Sequence, residues 1–144
     1  MKKQFWKSTP LHAFSREEWE ALCDGCGRCC LEKLEDDDTG EVLYTKVACK
    51  LLDIHKCRCT HYAERHTYVP ECLPITLKNR KMFSWLPATC AYRLLFEGKE
   101  LPAWHYLECG KRSEVHKAGI SARHFAIPQE DDMDLEDYII GEII

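Results

Sequence analysis

No run of apolar residues in this 144-residue chain approaches the length needed to cross a bilayer, roughly 18 residues or more. Its start, Met1-Lys2-Lys3-Gln4-Phe5-Trp6-Lys7, has the charge of a secretory leader but lacks the apolar segment of roughly 7–15 residues that follows in one. Positive charge is not in excess. Twenty Lys and Arg stand against 24 Asp and Glu, for a net charge of −4 and a pI near 6.0, which argues against a protein that coats nucleic acid. Internal repeats, low-complexity tracts and linkers are missing. So are the Walker loop, GxGxxG, HExxH and GxSxG signatures of the familiar enzyme classes. Hydrophobic residues make up 45% and charged residues 31%, an ordinary globular composition. The expectation is one cytoplasmic domain over residues 1–144, with its core in 14–110 and an acidic segment over 128–144. No membrane partner is expected, nucleic acid is disfavoured as a partner, and no reaction is assigned.

Cysteine, by contrast, is abundant: ten residues of 144, just under the share that marks a disulfide scaffold. In a cytoplasmic setting disulfides are rare and clustered cysteines more often hold metal. Spacing agrees. Cys29 and Cys30 are adjacent, and Cys57-Arg58-Cys59 is nearly so. A disulfide needs Cα atoms roughly 4.4–6.8 Å apart with suitably aimed Cβ vectors, which such neighbours meet poorly. Metal ligation is favoured over a disulfide framework and over inert buried thiols.

Ser15-Arg16-Glu17-Glu18 reads as a capping box opening a short helix, with Phe14 and Trp19 placed as a hydrophobic staple. The helix would run to about Leu22 and deliver Cys23. Asp24-Gly25-Cys26-Gly27 predicts a turn that lets backbone amides face sulfur. Asp38-Thr39-Gly40 separates two runs, the second rich in β-formers, and predicts a hairpin returning Cys49 to the first cluster. Its acidic tip, residues 35–38, lacks a calcium-loop layout and reads as solvated. Residues 50–75 look irregular; a locally extended Cys57-Arg58-Cys59 would aim both thiols to one face. Pro87 and Gly98 bracket another helix, with Cys90 in its first turn, where a helix N-terminus lowers a thiol pKa. Asp134 would cap a short helix over 134–140 that packs on the domain. Lys78-Asn79-Arg80-Lys81 is a small basic patch read as a solvated face.

Thiolates suit zinc, Cu(I) and iron–sulfur clusters. Cys23-x2-Cys26 and Cys26-x2-Cys29 have the spacing of structural zinc pairs, with remaining ligands to come from Cys30, Cys49, Cys57, Cys59, Cys72 and Cys90. Nine cysteines between 23 and 90 suffice for two sites of four or a shared cluster, so more than one ion is favoured. The competing reading is an iron–sulfur cluster, because Cys23, Cys26 and Cys29 match the start of C-x2-C-x2-C-x3-C-P; the fourth position falls on Lys33. His61 and His105 read as surface or hydrogen-bonded histidines, and Cys109 as a non-ligand.

Cys23-Asp24-Gly25-Cys26-Gly27-Arg28-Cys29-Cys30, Val47-Ala48-Cys49-Lys50-Leu51-Leu52-Asp53, Cys57-Arg58-Cys59, Val69-Pro70-Glu71-Cys72, Trp85-Leu86-Pro87-Ala88-Thr89-Cys90-Ala91-Tyr92-Arg93 and Trp104-His105 together resemble the YcgN branch of the YkgJ-like CxxCxxCC proteins. The resemblance covers nearly the whole chain. It implies a bacterial cytoplasmic protein with a zinc- or iron-chelating domain and no known reaction. A related cluster in flagellin lysine methylases keeps a modification or redox role open. The family pattern carries onto Cys23, Cys26, Cys29, Cys30, Cys49, Cys57, Cys59, Cys72 and Cys90, and leaves out Cys109. The expected fold is a small, irregular α+β domain of short helices and one hairpin organised round the sulfurs. The expected function is chelation of zinc or iron in a structural, storage or delivery role, with no protein partner assigned. The alternative is an iron–sulfur redox enzyme or accessory, with His105 and Arg93 as possible acid and anion-binding groups.

Overall fold

A computed structural model describes residues 4–70, 72 and 75–141; Glu71, in one of the family-like blocks, lies outside them. The chain is a small α+β arrangement in which no helix exceeds six residues among those described. Helix α1 (Phe5–Ser8) is followed by α2 (Arg16–Ala21), whose N-terminus is the capping box: Ser15 Oγ accepts from Glu18 N at 3.1 Å, and Glu18 Oε1 accepts from Ser15 N at 2.9 Å. Satisfying two orphan amides in this way is worth about 1 kcal/mol. The two residues expected as a staple both pack against the same apolar group and each joins an aromatic pair. Phe14 packs edge-on against Phe5, and Trp19 lies tilted over Tyr92.

The hairpin forms as expected, from β1 (Leu31–Glu35) and β2 (Val42–Ala48). Asp36 Oδ1 accepts from Asp38 N and Thr39 N at its exposed tip. The predicted helix near Asp134 is a 3-10 turn, Leu135–Tyr138, with Asp134 accepting from Glu136 N. It leads into β5 (Ile139–Gly141), which adds to the far side of β2 in the order β1-β2-β5. That strand was not foreseen, because three residues are too few to show an alternating pattern.

Residues 50–75 are largely irregular as expected, apart from a two-stranded ribbon, β3 (Leu52–Asp53) with β4 (Arg58–Cys59), and the single turn α3 (Arg65–Tyr68). Then come α4 (Ala91–Phe96), α5 (Tyr106–Cys109) and α6 (Glu114–Lys117).

Two apolar groups carry the interior. Phe5, Leu22, Met82, Phe83, Leu86, Ala91, Tyr92 and Leu101 form one; Leu31, Val42, Tyr44 and Ala122 form the other. Phe5 and Ala122 are among the packed residues. Each large side chain fully buried contributes about 1.5–3 kcal/mol. Cys29 and Cys90 pack against the first group. Among the described residues no helix is long and apolar enough to cross a membrane.

Candidate metal centre

The CxxCxxCC loop is held from outside by main-chain bonds. At its entry Tyr106 Oη donates to Ala21 O, and His105 Nε2 donates to Leu22 O at 2.8 Å. Within it Asp24 Oδ1 accepts from Cys26 N at 2.9 Å, the Asx turn that short acidic side chains favour. Arg28 N approaches Cys26 Sγ at 3.5 Å, an amide facing sulfur as the turn predicted. Gly27 is left-handed, φ 73°, and a Cβ there would stand 3.2 Å from Cys57 Cβ, so torsion and space both require glycine. Beyond the turn, Ala122 N donates to Cys26 O at 2.7 Å and Arg28 Nε to Ile120 O at 2.6 Å.

The hairpin does return Cys49 to the loop, with Cys49 N donating to Cys30 O at 2.7 Å. Strand β4 brings Cys59, and the irregular segment brings Cys72. Cys29, Cys30, Cys49, Cys59 and Cys72 therefore line a single cavity of about 600 Å³, shared with Trp19, Met82, Trp85 and Tyr92. All ten cysteines are free thiols. Cys23, Cys26 and Cys90 do not line the cavity, but the charge of Cys29 acts on each of them.

Cys29 and Cys30 share a hydrogen bond that splits their acidities. The Cys30 thiol donates to the Cys29 sulfur, which brings Cys29 down to about 7 and pushes Cys30 well up. Burial raises Cys26, Cys49, Cys72 and Cys90, whereas Cys23 stands exposed. Cys90 corrects an expectation. It caps α4 without a side-chain hydrogen bond to the helix amides, and desolvation dominates there, so the thiol is raised, not lowered.

Among the described residues no three Cys, His, Asp or Glu side chains stand close enough to share one ion. The fold gathers the donors round a cavity without pre-setting a coordination sphere, and an ion would have to draw the thiolates in. The donor chemistry fits zinc or iron. So do two buried oxygens without a hydrogen-bond partner beside these cysteines, Asp24 Oδ2 and Thr89 Oγ1.

Several candidates stand elsewhere. Cys57 has φ 56°, a left-handed turn that breaks the extended geometry assumed for Cys57-Arg58-Cys59. Its buried thiol donates to Ile54 O at 3.3 Å, and it does not line the cavity. Replacing Cys57 with alanine should therefore leave metal content unchanged while costing about 1 kcal/mol of stability through lost packing; elemental analysis and a melting curve check both. Cys109 is exposed, with its thiol near Trp104 O and Lys111 O.

His105 is fully buried, and both its nitrogens are engaged: Nδ1 accepts from Leu107 N at 3.0 Å while Nε2 meets Leu22 O. It is a helix cap and a strut. His61 is exposed and bonded to Thr60. Arg93 donates to Ser84 O, Leu86 O and Glu97, so its guanidinium holds the chain together and is not free for an anion. Asp24 was not a candidate from the sequence; its position between two cysteines of a turn was the available signal.

Unbridged thiols from remote segments round one cavity define a cysteine-cluster domain. The chain belongs to the CxxCxxCC family, described as a "Putative zinc- or iron-chelating domain", which matches residues 22–91, and within it to the UPF0260 proteins. It is 54% identical over 138 residues to a UPF0260 protein of Pseudomonas aeruginosa, covering 94% of this chain and 93% of the relative. It is 50% identical over 137 residues to one from Klebsiella pneumoniae, covering 95% and 93%. It is 47% identical over 140 residues to one from Pectobacterium atrosepticum, covering 97% and 95%. No solved structure matches the chain.

Proposed function

We propose that the protein chelates zinc or iron, more than one ion per chain, on its cysteine thiolates, and serves a structural, storage or delivery role. The supporting observation is the arrival of Cys29, Cys30, Cys49, Cys59 and Cys72 at one cavity from segments spread over more than forty positions of sequence. Cys23, Cys26 and Cys90 lie outside that cavity. Burial in a protein interior ordinarily keeps such thiols protonated. A bound cation supplies the charge that makes thiolates favourable there, so uptake releases protons.

A second reading is favoured by the cavity's size. About 600 Å³ exceeds the space one ion fills, which suits an iron–sulfur cluster held by the same cysteines and a redox role.

Metal analysis of anaerobically purified protein tests both. At least one metal per chain is expected. Colourless protein with stoichiometric zinc supports chelation of single ions. Brown protein with iron and sulfide, absorbing at roughly 400 nm as iron–sulfur proteins do, supports the cluster. Protein that takes up neither zinc nor iron under those conditions overturns the proposal.

A further inference from the structure

We infer that the cysteine-lined cavity also takes a small organic acid, its apolar or aromatic body against Met82, Leu86 and Tyr92 and its carboxylate on Arg65. The inference rests on the chelation reading above, because ion and acid share one cavity.

Space is the first argument. A cavity of about 600 Å³ equals the share of roughly twenty water molecules at about 30 Å³ each. An ion fills little of that, and the sulfurs that would bind it already belong to the wall. The volume falls in the range of small-molecule sites, about 300–1,000 Å³, whose lining is mostly apolar with a few placed polar groups. This lining has that character. Met82, Leu86 and Tyr92 belong to the first buried apolar group, and Trp19 and Ile75 pack against it. The polar atoms of that face are used up within it. Trp19 Nε1 donates to Ile75 O at 3.1 Å, and Tyr92 Oη donates to Trp19 O at 2.7 Å. Those bonds fix the two rings and leave them to offer the cavity apolar surface, from which an apolar body gains by displacing water.

Charge is the second. Arg65 lines the cavity from the single turn α3 and is half-buried. Its guanidinium carbon lies 4.2 Å from the centre of the Tyr62 ring, and Nη1 donates to Tyr62 O at 2.7 Å. These contacts orient the guanidinium and leave further N–H donors of its five. None of the ion pairs among the described residues includes Arg65. Glu20, a carboxylate of the same lining, accepts from Tyr62 Oη. Of the other lining cations, Lys33 donates to Cys29 O and Leu31 O, and Lys81 is exposed. A planar guanidinium held in one orientation without an acidic partner matches the two oxygens of a carboxylate. A neutral ligand of the same shape leaves that charge unanswered.

The test uses the full chain loaded with Zn(II), with zinc per chain measured on the same sample. The probes are naphthaleneacetate and its neutral amide. Binding is read by calorimetry and by the indole N–H signals in a proton–nitrogen NMR spectrum. The four tryptophans report location, since Trp19 and Trp85 line the cavity and Trp6 and Trp104 do not. Naphthaleneacetate should bind once per chain with a Kd on the order of 0.1 mM, ordinary for a ligand of about fourteen non-hydrogen atoms. It should shift the Trp19 and Trp85 signals and leave the other two in place. The amide should bind at least tenfold more weakly. In Arg65→Gln the acid should fall to the level of the amide, with zinc content unchanged. Unshifted Trp19 and Trp85 signals at millimolar probe, in protein that holds its zinc, overturn the inference and leave the chelation reading intact; that result needs no variant to fold. Equal affinity for acid and amide, or an Arg65→Gln variant that keeps the preference, also overturns it. A chain that takes up no zinc removes Zn(II) chelation and the inference together.

Discussion

Replacing Cys49 with serine should strip metal from the cavity and lower the melting temperature by about 10 °C in the same variant. The backbone of Cys49 is anchored independently of its sulfur, since its amide donates to Cys30 O at 2.7 Å. Serine preserves that bond and nearly the same volume, so what the variant loses is a soft donor. Losing one ligand weakens an ion's hold on segments that converge on the cavity, and metal affinity in such domains is folding free energy. A loss of about 3 kcal/mol converts to roughly 10 °C for a domain of this size. Elemental analysis and thermal melts, with and without chelator, check it. The decisive pattern is that chelator lowers the wild type towards the variant and leaves the variant where it was. A variant with full metal content would remove Cys49 from the centre.

The second large effect is a reversal of pH dependence on metal removal. Burial raises Cys26 well above the ordinary value of about 9, and Cys49, Cys72 and Cys90 shift the same way. In chelator-stripped protein, unfolding above pH 9 therefore releases protons that the folded thiols retain. The stability these groups contribute is complete below about pH 9 and is lost as pH rises through their raised values. Cys29, lowered to about 7 by the Cys30 thiol, contributes oppositely: its share is present above about 9 and lost as pH falls through 7. The raised thiols outnumber it, so stripped protein should weaken mainly on the alkaline side. Metal-loaded protein should do the reverse, because its thiolates must be protonated before the ion leaves, and acid supplies those protons. Denaturant midpoints from pH 5 to 11, with and without metal, read the two slopes. Parallel slopes would mean that the buried thiols do not hold the ion.

Much of this architecture could be read from the chain itself because its signals are local. The capping box at Ser15, the glycine-flanked turn at Cys26 and the turn before β2 each depend on a few neighbouring residues. What was missed depends on distance. The left-handed torsion at Cys57 turned an apparent chelating pair into one thiol at the cavity and one outside it. At Cys90 a place at the start of a helix was legible, though as the first turn and not as the cap it proves to be, and the desolvation that reverses its acidity comes from packing around it. Asp24 reads as a turn former until burial shows that only one of its oxygens serves the turn. Strand β5 is too short to announce itself and forms because β2 offers it an edge.

The supports of the CxxCxxCC loop come late in the chain: Leu22 leans on His105, Arg28 on Ile120 and Cys26 on Ala122. A ribosome adding roughly 5–20 residues per second would need about 5–20 s to pass from the first cysteines to these anchors. During that interval the nascent thiols have neither their buried setting nor their final neighbours. Correct metal loading thus becomes an event of late or completed synthesis, and a chain stalled before residue 120 would present reactive sulfur to whatever ion or oxidant reached it first.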